Sequence, residues 1–147
     1  MQLQDTCLLV VADGRHARLF EERRRGAALV ERPEWLEGLA PETVEASPPV
    51  RVFQRFGSGS HTVEGDTPRE RSEARFLNDL AERVGVLVTR ERFDAVALIA
   101  PPRALGVLRA ALPSAAAERL GPSEAAERCE ETPEDLRIAL RRLRAGD

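Results

Sequence analysis

Lysine is missing from this sequence of 147 residues; all 22 basic residues are arginine. Together with the frequent alanines, this points to a GC-rich coding sequence more than to a selected function. Cysteine is nearly missing too. Cys7 and Cys129 are too few for the disulfide framework of a small secreted domain, so a reducing compartment is the default. No apolar run approaches the roughly 20 residues of a membrane-spanning helix, and Met1–Asp5 lacks the basic region of a signal peptide. The expected location is the cytoplasm. An excess of positive charge is also lacking. The net charge of −3 argues against a chain that binds nucleic acid over its whole surface. Arg23-Arg24-Arg25 is the obvious basic cluster; at an expected hairpin tip, it reads as a solvated turn.

What is present fits one α/β domain spanning residues 1–147, long enough to bury a core without staples. Thr6–Ala12 and Ala95–Ala100 are continuous apolar runs, the pattern of strands buried on both faces, and so are expected side by side at the sheet centre. Asp13-Gly14 is a hairpin signal between the first run and a second strand, Ala17–Glu21. Arg25-Gly26 makes another turn, and a third strand is expected at Ala27–Glu31. Four prolines make residues 33–49 a loop, with Trp35 and Leu36 as anchors, and Val50–Gln54 reads as a short edge strand.

Thr67, Pro68 and Glu70 form a helix start with a capping box. Phe76, Leu77, Leu80, Ala81, Val84 and Leu87 make the apolar stripe of that helix. A second helix runs through Leu105, Val107, Leu108, Ala111 and Leu112 and ends at Pro113. Gly121-Pro122 is read as a break, residues 123–131 as an edge strand, and Thr132-Pro133 as the start of a last helix through Leu143. The expected architecture is a mixed five-stranded sheet: an antiparallel three-strand meander plus two parallel strands, with three main helices.

Several strings, in order along most of the chain, resemble the bacterial host-attachment protein family. They are Val11–Phe20, Gly57–Glu64, Arg75-Phe76-Leu77, Ala100–Arg109 and Thr132–Leu136. The resemblance implies a ribonuclease H-like sheet similar to the middle domain of archaeal and eukaryotic translation release factors. In those factors a glycine-rich loop carries Gly-Gly-Gln. Here that loop reads Gly57-Ser58-Gly59-Ser60-His61, which argues against peptidyl-tRNA hydrolysis by that route. The family name records a phenotype and implies no chemistry.

No catalytic constellation stands out. Asp13 and Asp94 flank the two central strands, where a metal-dependent nuclease would place paired carboxylates. Parallel strands align start to start, however, so these two should lie at opposite ends. Asp13 reads better as a turn residue bonding its own backbone. His16 reads as a strand residue with a satisfied ring. His61 is the stronger candidate because it lies in a glycine-rich loop, where functional groups concentrate. Gly57-Ser58-Gly59-Ser60 resembles a phosphate cradle but lacks the Gly-Lys-Ser/Thr ending of a P-loop. Cys7 should be inert in a core strand, and nothing near Cys129 would activate it. Arg15, Arg18 and Arg55 could share a face and bind an anion, or pair with the many glutamates.

The leading expectation is a non-enzymatic binding or adaptor domain, without cofactor or metal, for a protein or RNA partner. Its surface would be the 54–66 loop with the Arg15–Arg18 strand, represented by Arg15, Arg18, Gly57, Gly59, His61 and Glu64. The competing expectation is a ribosome- or tRNA-associated factor using the same loop. A nuclease built on Asp13 and Asp94 comes third. Self-association is compatible with each.

Overall fold

A computed structural model describes residues 6–39 and 67–146. The strands are β1 (Cys7–Ala12), β2 (Ala17–Glu22), β3 (Val30–Glu31), β4 (Ala95–Ala100) and β5 (Leu120–Ala125). The helices are α1 (Pro68–Arg90), α2 (Pro102–Ala111), the single turn α3 (Ser114–Ala117) and α4 (Pro133–Arg144). The strands form one open mixed sheet in the order β3-β2-β1-β4-β5. β1 runs antiparallel to β2 and parallel to β4, with Cys7 opposite Ala95 and Val11 opposite Ile99. The two apolar runs are therefore neighbouring inner strands, as their composition requires.

Because side chains alternate across a strand, each inner strand feeds two cores. Leu8, Val10, Ala12, Val96, Leu98 and Ala100 face α1 and α2. Leu9, Val11, Phe20, Ala97 and Ile99 face the opposite way, against Leu136, Ala139 and Leu140 of α4. α1 begins where the cap signals put it. The Thr67 hydroxyl accepts from the Glu70 N–H at 3.0 Å, and the Glu70 carboxylate accepts from the Thr67 N–H at 3.0 Å. α4 starts with the same device, Thr132 accepting from the Asp135 N–H. Among the described residues, no helix is long and apolar enough to cross a membrane.

Three expectations need correction. β3 is only Val30–Glu31, because the preceding residues are taken up by a turn: the Ala27 N–H donates to Arg24, Gly26 has a φ of +85°, and the Glu22 carboxylate captures the Gly26 N–H. The last strand comes earlier than residues 123–131 and contains Gly121-Pro122, which were expected to break the chain. As an edge strand it tolerates a proline, and a one-residue register shift between Val96 and Leu98 absorbs the irregularity. Within the expected loop, Pro33–Leu36 form a short 3₁₀ turn, and Trp35 and Leu36 pack on the core as anchors. Trp35 meets Phe93 edge-on at 5.9 Å, and Arg83 of α1 donates to the Trp35 and Glu37 carbonyls. The expected strand Val50–Gln54 lies outside the described residues.

Candidate functional site

The tight turn after β1 is organised by Asp13. Its Oδ1 accepts from the N–H groups of Arg15 at 2.8 Å and His16 at 2.7 Å, while its own N–H donates to the His16 carbonyl. This is the self-bonding turn that Asp13-Gly14 predicts. His16 lies in that turn and not in the strand. Its side chain is 70% exposed, and Nδ1 is 3.4 Å from Asp13 Oδ2. Gly14 brings the turn close to α1: a Cβ there would lie 2.7 Å from Cδ of Glu73, so any larger residue would push the Glu73 side chain aside.

That approach frames a cleft at the carboxyl ends of β1 and β4, where open α/β sheets commonly take ligands. Its volume is about 290 Å³, and its charged lining comprises Asp13, Arg15, Glu70, Glu73, Arg103 and Glu127. A smaller apolar hollow of about 190 Å³ adjoins it through Arg15, between His16, Leu36, Leu39 and Phe76. Most of the charges are already engaged. Glu70 closes the α1 cap and lies 3.8 Å from Arg103, and Glu73 lies 3.5 Å from Arg69. The arrangement presents fixed charges of both signs beside an apolar hollow, which suits recognition of a surface.

Other predicted residues fall elsewhere. Asp94 is at the opposite end of the sheet, where its Oδ2 accepts from the Thr6 N–H at 3.1 Å and hydroxyl at 2.9 Å. Six residues of strand separate it from Asp13, roughly 20 Å, whereas a two-metal site needs ions roughly 4 Å apart. The geometry therefore does not form the carboxylate pair of a nuclease. Arg18 is spent internally: it pairs with both oxygens of Glu31 at 3.0 and 2.9 Å and donates to the carbonyls of Cys129 and Glu131 at 2.8 and 2.7 Å. Burial pushes the Cys7 thiol up to about 11, and burial followed by the nearby Asp13 and Glu127 charges pushes Cys129 up to about 12. Both stay protonated and unreactive near neutral pH.

Arg55, Gly57, Gly59, His61 and Glu64 lie outside the described residues. The chain leaves the described structure at Leu39 and rejoins it at Thr67. Leu39 lines the smaller hollow, and Thr67 caps the helix that carries Glu70 and Glu73. Glu73, Arg103 and Glu127 went unread as site residues. They are far apart in sequence, and only the folding of α1, α2 and the segment after β5 around the Asp13 turn unites them.

Residues 8–140 match the sequence pattern of a family described as "Protein required for attachment to host cells". In a comparison with curated proteins, none matches this chain.

Proposed function

This chain belongs to the host-attachment protein family, and we propose that it is a non-enzymatic binding domain whose recognition surface is the rim formed by the Asp13 turn and the starts of α1 and α2. One observation carries the reading: the cleft at the carboxyl ends of β1 and β4, with Arg15 shared between its charged and apolar parts. Four carboxylates stand there against two guanidiniums, those of Arg15 and Arg103. That balance favours a polypeptide with its own mixed charges over a phosphate backbone, which binds through an excess of cations.

The test is quantitative capture of interacting proteins from cells that express the protein, using wild type, Arg15→Glu and Arg103→Glu. His61→Ala with Glu64→Gln probes the candidates in residues 54–66. Arg90→Glu, at the far end of α1, is the control. A partner held by wild type and control but lost with Arg15→Glu or Arg103→Glu is the expected result. Equal capture by all variants overturns the proposal. Co-sedimentation with ribosomes that falls steeply as salt rises would replace it with the ribosome-associated reading.

A further inference from the structure

At the opposite end of the sheet, the turn after β2 meets the face of α4. Arg137, Arg141 and Arg144 recur at helical spacing, so all three project from one side of α4. Together with Arg25, Gly26 and Glu22 they line a cleft of about 360 Å³. Its floor is held rigidly. Glu22, 1% exposed, receives a two-pronged contact from Arg144 at 2.9 and 2.6 Å and a bond from the Gly26 N–H at 2.9 Å. Arg137 pairs with both oxygens of Glu134 and reaches the Gly26 carbonyl at 3.3 Å.

Arg25 and Arg141 have no such partner among the described residues. Of the four guanidiniums that line the cleft, Arg144 is therefore engaged by Glu22, its one lining carboxylate, and Arg137 by Glu134 outside it. Among the described residues, the positive charges of Arg25 and Arg141 have no counter-charge paired with them across this concave site. Arginines in a last helical turn do complement the helix dipole, which accounts for Arg141 and Arg144 taken alone. It does not account for Arg25, which comes from another element and converges on the same cleft.

We propose that this cleft binds a small phosphate monoester. Such a group carries close to two negative charges at neutral pH, matching the excess of Arg25 and Arg141. Guanidinium forks suit its oxygens geometrically. The volume admits a phosphoryl group with a small organic remainder.

Titration calorimetry of the full chain with inorganic phosphate and with glycerol phosphate tests this. Arg25→Ser with Arg141→Ser removes two exposed side chains that hold nothing within the described fold, and circular dichroism checks that the fold persists. Wild type is expected to bind both probes, with binding weakened about tenfold or more in the double variant, since each charged hydrogen bond lost costs of that order. Arg90→Ser and Arg15→Glu should bind as wild type does, which keeps this result separate from the fate of the recognition rim. No heat with either probe at millimolar concentration, or equal affinity in the double variant, overturns the proposal. So does tighter binding of a single-stranded oligonucleotide than of glycerol phosphate with the same arginine dependence, which would make the cleft a nucleic-acid surface.

Discussion

Arg18 and Arg144 show how this protein handles charge in and around its sheet. Glu21 and Glu22 end β2 with 1% exposure each, and a buried carboxylate is tolerated only when paired and hydrogen-bonded. Arg23 and Arg32 hold Glu21; Arg144 holds Glu22. Arg18 in turn ties β2 to β3 and to the segment ahead of α4. Removing one partner of a buried pair leaves the other charge stranded, at a cost of about 3–5 kcal/mol. Arg144→Leu should lose that much stability by urea unfolding. Glu22→Leu combined with Arg144→Leu should recover most of it, because an apolar pair of similar volume needs no counter-charge. A loss below about 1 kcal/mol in the single variant would show that water reaches Glu22. The sequence allowed that Arg18 pairs with a glutamate, as it does with Glu31, but it named no partner for any of these arginines. Arg18 meets Cys129 across 111 residues of sequence, and no local pattern encodes that.

Among the elements, α1 was the most legible, since its start is local chemistry: a hydroxyl cap, a proline that needs no N–H partner, and a glutamate reaching back. Its end is local as well. Arg92 takes a φ of +58°, and the Phe93 N–H returns to the Val88 carbonyl, closing the last turn. Gly85 inside the helix has a reason only packing reveals. A Cβ there would stand 2.6 Å from Cγ of Pro113. Alanine gains about 1 kcal/mol of helix propensity over glycine, but forcing a methyl against a rigid ring costs about 1–3 kcal/mol. The clash should win, so Gly85→Ala is expected to lower the melting temperature by a few degrees. Pro113→Ala in the same chain should return it. A higher melting temperature for Gly85→Ala alone would mean that α1 and the Pro113 segment separate freely.

At the scale of the molecule, one sheet carries two unequal covers. α1, α2 and α3 share the first face, whereas α4 covers the second. A sheet face this apolar must be buried to be stable. Ending the chain after Glu131 should therefore expose Leu9, Val11, Phe20, Ala97 and Ile99 together. The expected outcome is binding of the dye ANS and loss of a cooperative melt with strand content retained. A sharp, cooperative transition in the shortened chain would show that the first core suffices. The fold also places its two clefts apart. The recognition rim lies at the carboxyl ends of β1 and β4, and the arginine cleft lies beside Cys7 and Glu22 at the other end.

Contiguous residues alone determined the class of the fold, the two inner strands, the Asp13 turn, the capped helix starts and the stripe of α1. Each depends on composition, period or hydrogen bonds within a few residues. The tertiary structure decided where the weak edge strands begin and end, since β3 yields to the turn that Glu22 captures and β5 pairs only because β4 offers an edge. It also decided where each charge ends up. Arg15 and Arg18, three positions apart, looked alike in the sequence. Arg18 is locked by Glu31 and two distant carbonyls, while Arg15 lines the rim. Pairing of charge depends on what the folded chain brings within a few ångströms, and that is a property of the whole packed sheet.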